Sequence, residues 1–103
     1  MKYGVVNYPV KVIDEEIINA LADIEIHHEE DKRIVLVECV MNYTDLPEEC
    51  ILEIGYLKRK FKLMHTESVA SESGIYKLKF MFERAEYINE KDEWRDLFRS
   101  IVR

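Results

Sequence analysis

The clearest alternation of apolar and polar positions lies near the end of the chain. Tyr76, Leu78, Phe80 and Phe82 fall on one side of an extended segment, and Lys77, Lys79, Met81 and Glu83 on the other. Upstream, Phe61, Leu63 and His65 oppose Lys60, Lys62 and Met64, which predicts a strand within Lys60–Val69. A turn over Ala70–Gly74 joins the two as a hairpin. Cys50–Leu57 reads as a further strand. Arg33–Met41 is apolar on both faces and reads as a central one. Ile24, Ile26 and His28 alternate with Glu25, His27 and Glu29 in a half-buried strand, followed by a polar turn at Glu29–Lys32. Tyr3–Tyr8 forms a short strand ended or edged by Pro9, with Val10–Ile13 as its continuation.

Two segments carry helical spacing. Asp14 suits an N-cap, Glu15 and Glu16 suit the first turn, and Ile17, Ile18, Leu21 and Ala22 supply an apolar stripe. These predict a short helix over residues 14–22. At the other end Asn89 is the candidate N-cap, with Asp92 three residues on. Trp94, Leu97, Phe98, Ile101 and Val102 fall at helical intervals, predicting an amphipathic helix whose aromatic stripe packs on the sheet.

The expected fold is therefore α+β. It is a small antiparallel β-sheet or six-stranded β-barrel, with a short N-terminal helix and a C-terminal amphipathic helix. The 103 residues form one domain, 1–103, and at 48% apolar they can bury a core without a metal or disulfide staple. Only 3 Gly and 2 Pro are present, so the elements follow one another closely.

Charge changes the picture most. The net charge is −6, yet residues 1–53 hold 13 acidic and 4 basic side chains, while residues 54–103 hold 8 acidic and 11 basic. From Val12 to Asp31 there is no Lys or Arg. Such an acidic half repels phosphate backbones, which argues against nucleic acid as a partner and leaves either a solvated surface or a docking face for a basic protein. The longest apolar run, Ile34–Val37, ends at Glu38, far short of a membrane span. The start, Met1-Lys2-Tyr3-Gly4, has no apolar signal region, so a cytoplasmic location is expected.

Candidate chemistry is sparse. Cys39 and Cys50 do not form a CxxC pair, and both read as buried or half-buried thiols. His27 and His28 are neighbours on a strand, point to opposite faces and cannot share one metal. His65, at an apolar strand position, reads as a half-buried histidine. There is no GxSxG elbow, Gly-rich phosphate loop, HExxH or deaminase pattern. No catalytic residue, metal or cofactor is expected, and the reading is non-enzymatic. The one basic cluster, Lys58, Arg59, Lys60 and Lys62, is joined across the hairpin by Lys77 and Lys79, and these six form the candidate ligand or partner patch. Arg95 and Arg99, one turn apart on the last helix, pair most simply with Asp92, Glu93 or Asp96.

The stretch Leu46–Val102 resembles the second half of a PilZ domain. The similarity rests on a strand opening of the form Leu46-Pro47 followed by Ile51, Leu52 and Ile54. It continues through a strand around Phe61-Lys62-Leu63, then Gly74-Ile75-Tyr76-Lys77-Leu78-Lys79-Phe80-Met81-Phe82, and a terminal helix over Trp94–Ile101. The resemblance implies a β-barrel and a regulatory or adaptor role. The family's RxxxR and [D/N]xSxxG ligand motifs have no counterpart in place. No arginine precedes Arg33, and Asn42-Tyr43-Thr44-Asp45-Leu46-Pro47 has Thr for Ser and Pro for Gly. The RxxxR of Arg95 and Arg99 stands on the wrong element. The implied form is a PilZ-like module that has lost cyclic-di-GMP binding and works by protein–protein contact, as a monomer or homodimer. The alternatives are a cyclic-dinucleotide receptor using the basic patch, and a small acidic inhibitor or immunity-type protein, such as a phage-encoded one, that blocks a basic active site.

Overall fold

The computed structural model describes residues 2–29, 32–42, 45–69, 74–85 and 93–101. Six strands are followed by one helix: β1 (Lys2–Ile13), β2 (Ile17–His28), β3 (Lys32–Asn42), β4 (Glu49–Ile54), β5 (Leu57–Ser68), β6 (Ile75–Ala85) and α1 (Glu93–Ile101). All the strand pairs are antiparallel, and they close into a barrel in the order β1-β2-β3-β6-β5-β4. Neighbours in sequence form hairpins except at one place. β3 pairs with β6 and β4 returns to β1, so the segment between β3 and β4 crosses one end of the barrel. Leu46, on that crossing, is buried.

A barrel of six strands is narrow enough for side chains alone to fill it. Val12, Ile26, Val35, Val37, Leu52, Ile54, Phe61, Leu78 and Phe80 are all fully buried. Each such aliphatic or aromatic side chain contributes about 1.5–3 kcal/mol over exposure. The alternation expected for the last strand holds: Leu78 and Phe80 are buried and Tyr76 and Phe82 half-buried, while Lys79 and Glu83 are exposed.

The expected helix over residues 14–22 is not formed. Asp14, Glu15 and Glu16 make a tight turn in which the Asp14 N–H donates to the Glu16 carbonyl at 3.0 Å, and β2 begins at Ile17. The residues 17, 18, 21 and 22 fit a helical stripe, but 18, 20, 22, 24 and 26 fit a strand equally well. Ile18 and Ala20 are half-buried, Ala22, Ile24 and Ile26 are buried, and Ile17 and Leu21 point out. A nine-residue helix is marginal in isolation, whereas the strand pairs with β1 from Ile13↔Ile17 onward and carries straight through to Ile26. The N-cap and first-turn residues serve a hairpin instead.

Two other expectations shift. Of the two roles expected of Pro9, ending the first strand or edging it, the first is excluded, and β1 runs on through Val10–Ile13. The proline lies just after a register shift between Val5 and Tyr8, directly before the β1–β4 ladder starts at Val10, a place where a residue without an N–H is tolerated. Asn7 in that bulge has φ 53° and donates its N–H to Asp23 Oδ1 at 3.1 Å. His65 is exposed rather than half-buried, because a second register shift between Leu63 and His65 reverses the side on which the strand presents its residues.

The C-terminal helix closes the barrel end as expected, with Trp94, Leu97 and Phe98 buried and Ile101 half-buried. Trp94 stands edge-on to Phe61 with centroids 6.0 Å apart and meets Phe82 at 5.6 Å; Phe98 meets Tyr3 at 5.8 Å. Asn89, Asp92 and Val102, assigned to the same helix from the sequence, lie outside the described residues.

Candidate protein-binding face

On the strands β1–β3 the acidic half of the sequence supplies three carboxylates, Asp23 and Glu25 of β2 and Glu38 of β3, while β1 carries none. Asp14, Glu15 and Glu16 occupy the β1–β2 turn. Along β2 the outward positions are Ile17, Asn19, Leu21, Asp23, Glu25 and His27, none of them Lys or Arg. Asp23 stands directly opposite Glu38 of β3, and like charges at that spacing repel. The repulsion is partly relieved: Glu38 receives Lys77 at 3.3 Å and Lys79 at 3.7 Å, and Asp23 accepts the Asn7 N–H.

Next to this carboxylate pair the barrel wall opens. The β2–β3 ladder runs from His28↔Arg33 to Ala22↔Cys39 and stops there. Among the described residues, Ile17–Leu21 continue paired to β1 alone, and Val40–Asn42 continue paired to β6 alone. A groove of about 510 Å³ lies where the two strands part, lined by Asn19, Ala20, Leu21, Cys39 and Val40, with Asp23, Glu38 and Lys77 at its side. Two large apolar side chains in its lining are exposed, Leu21 at 60% and Val40 at 50%, and Ile17, at the start of the same strand, is 60% exposed.

The six residues of the candidate basic patch are distributed differently from the expectation. Lys62, Lys77 and Lys79 do share the outer face of the β5–β6 hairpin, but Lys77 and Lys79 turn toward Glu38. Lys58 meets Glu53 at 3.9 Å and Lys60 meets Glu49 at 3.8 Å across the β4–β5 ladder, where Lys62 also stands opposite Glu49. Arg59 leaves the patch altogether. It shares the inward parity of Leu57 and Phe61, and at the barrel end it grips Glu93 of α1 with two nitrogens, Nε at 2.9 Å. Arg84 reaches the same carboxylate at 3.5 Å. Arg59 is thus a support for the helix, made legible by its odd-numbered position between two core residues.

Sequence reasoning missed Arg33, which is fully buried and donates to Tyr3 Oη at 2.6 Å. The signal was its parity with Val35 and Val37. Both cysteines are free and buried. Burial pushes the Cys39 thiol up to about 12, helped by the nearby Cys50 and Glu38, and the Cys50 thiol up to about 11, helped by Asp14. At neutral pH both are protonated and poorly nucleophilic. Among the histidines, His27 meets Glu25 at 3.2 Å and His65 meets Glu67 at 3.6 Å. Among the described residues no three His, Cys, Asp or Glu side chains converge as a metal site, and no helix is long and apolar enough to cross a membrane. No family model, curated protein or solved structure matches the chain.

Proposed function

We propose that this protein is a non-enzymatic regulatory or adaptor module that docks a basic partner protein on the outer face of β2 and β3. The observation that carries the reading is the coincidence, at one place, of an interrupted strand ladder, exposed Leu21 and Val40, and the facing carboxylates of Asp23 and Glu38. Apolar side chains left in water beside a repulsive charge pair cost stability on their own, and such local conflicts are characteristic of functional surfaces. In this reading the face is a partner site in which cations of the partner replace Lys77 and Lys79 beside Glu38.

The similarity of Leu46–Val102 to a PilZ domain is part of the same proposal: a barrel that regulates by contact, without cyclic-di-GMP. The receptor alternative has less support, because Lys58, Lys60, Lys77 and Lys79 each meet a carboxylate and Arg59 serves α1. An acidic inhibitor of a basic enzyme would use the same face as the adaptor and differs only in what it blocks.

The test compares proteins retained by the wild-type chain and by the double variant Asp23→Lys/Glu25→Lys, at low and high salt. A partner held by the wild type, lost by the variant and released by salt supports the reading. A partner held equally by both sinks it. Titration calorimetry with cyclic-di-GMP gives no heat if the adaptor reading holds, whereas saturable binding lost in Lys60→Glu/Lys62→Glu would replace it by the receptor.

A further inference from the structure

The face just described has a feature that ordinary surface docking does not require: two strands whose outer edges are left open side by side. Among the described residues, Asn19–Leu21 and Val40–Asn42 lie opposite one another without pairing, the first bound only to β1 and the second only to β6. The backbone N–H and C=O groups of an unpaired edge are a template for another strand. Proteins normally blunt such an edge with charged side chains, lysine above all. Here the five residues Ile-Ile-Asn-Ala-Leu at 17–21 carry no charge, and Pro9, the one proline of the hairpin, lies on β1 rather than on the open edge.

We infer that this open seam is a strand-addition site, occupied by an extended segment of a partner protein in which basic side chains alternate with apolar ones. The inference rests on the reading of this face as a docking surface and names what docks. Asn19–Leu21 span about 10 Å, enough for a short added strand. Its side chains alternate between the two faces: the apolar ones would point inward, beside Ala20 and Cys39, and the basic ones outward, their alkyl stems beside Leu21 and Val40, both half or more exposed. On that outer face the cations would reach the carboxylates of Asp23 and Glu38, where the ladder resumes. The charge also decides against a second copy of this chain. Edge-to-edge pairing of two β2 strands would bring together two surfaces without a single Lys or Arg between Val12 and Asp31, in a protein of net charge −6.

The experiment follows backbone amide resonances of the ¹⁵N-labelled full chain during titration with three synthetic peptides. The first is acetyl-Lys-Val-Lys-Val-Lys-Val-Lys-amide, the second replaces every Lys by Glu, and the third keeps the first sequence but N-methylates alternate backbone nitrogens. The expected result is saturable shifts from the first peptide confined to Ile17–Leu21 and Val40–Asn42, weakened by salt, with no shifts from the other two. Leu21→Lys is expected to weaken binding about tenfold or more while leaving the urea midpoint unchanged. No shift at millimolar peptide, or shifts centred elsewhere, overturns the inference. Equal binding of the N-methylated peptide at the same face removes strand addition but leaves acidic-face docking standing. Equal binding of the Glu peptide removes both.

Discussion

Cys39 and Cys50 show how a side chain can be chemically quiet because of where it sits. Both thiols face the barrel interior, and burial raises them to about 12 and about 11 from an ordinary value of 9.0. The unfolded chain therefore loses these protons at lower pH than the folded one does. Below pH 9 the two states hold the same thiol protons and the contribution to stability is constant. Between about 9 and about 11–12 the folded state binds more protons, so stability falls as pH rises. The expected outcome is a urea midpoint that drops steeply through that window, and a Cys39→Ala/Cys50→Ala variant whose midpoint drops less. Alkylation of the native protein at neutral pH should be slow and should accelerate on unfolding. Gly55 is the other position where one residue decides a contact. Its φ is +61°, and a Cβ there would stand 2.5 Å from Leu97 Cδ1. Gly55→Ala is expected to lower stability by about 1–3 kcal/mol, from left-handed strain and from displacement of the helix. An unchanged midpoint in thermal or urea melts would mean that α1 does not rest on the β4–β5 turn.

At the level of elements, legibility followed how many cues agreed. β6 and α1 were readable because alternation or helical spacing stood alone there. In β2 two periods were superimposed, since Ile17 and Leu21, exposed on the outer face, mimic the continuation of a helical stripe begun by Ile18 and Ala22. Outward aliphatic residues make an amphipathic strand look like something else, and here one of them, Leu21, lines the candidate site. The bulge at Met64 was also hidden, because a one-residue register shift leaves no mark in composition. α1 provides a direct test of the barrel's closure. Trp94 is 2% exposed and packs on Phe61 and Phe82, so Trp94→Ala is expected to cost about 3–5 kcal/mol. Its indole Nε1 is buried without a hydrogen-bond partner among the described residues. Trp94→Phe then trades lost area against the removal of an unsatisfied donor, and should cost less than about 1.5 kcal/mol. A near-zero cost for the alanine variant in a chemical melt would show that the helix is not needed to seal the barrel.

For the whole molecule, the organising fact is that charge is sorted by strand. β2 carries its acids with no Lys or Arg on its own strand, whereas β4 and β5 interleave their charges so that Lys58 meets Glu53 and Lys60 meets Glu49. The barrel strands and the C-terminal helix were visible in the alternation, though the N-terminal helix also expected there is strand, and the acidic half was visible in the composition. The seam was not, because where a ladder stops depends on how two distant strands diverge and not on either strand's residues. This sorting predicts opposite responses to charge reversal on the two sides. Lys60→Glu/Lys62→Glu removes one exposed ion pair and leaves Glu49 beside new acids, and exposed pairs are worth about 0–1 kcal/mol. The urea midpoint should therefore shift by little, and partner binding at the seam should persist. Asp23→Lys, placed opposite Glu38, replaces a repulsive cross-strand pair by an attractive one and forgoes the Asn7 contact. Its stability should hold or rise by a few tenths of a kcal/mol, while affinity for a basic partner falls. Stability and binding moving in opposite directions at Asp23 is the signature of a surface kept for recognition. A variant that loses both together would instead make Asp23 a structural anchor for the β1 bulge.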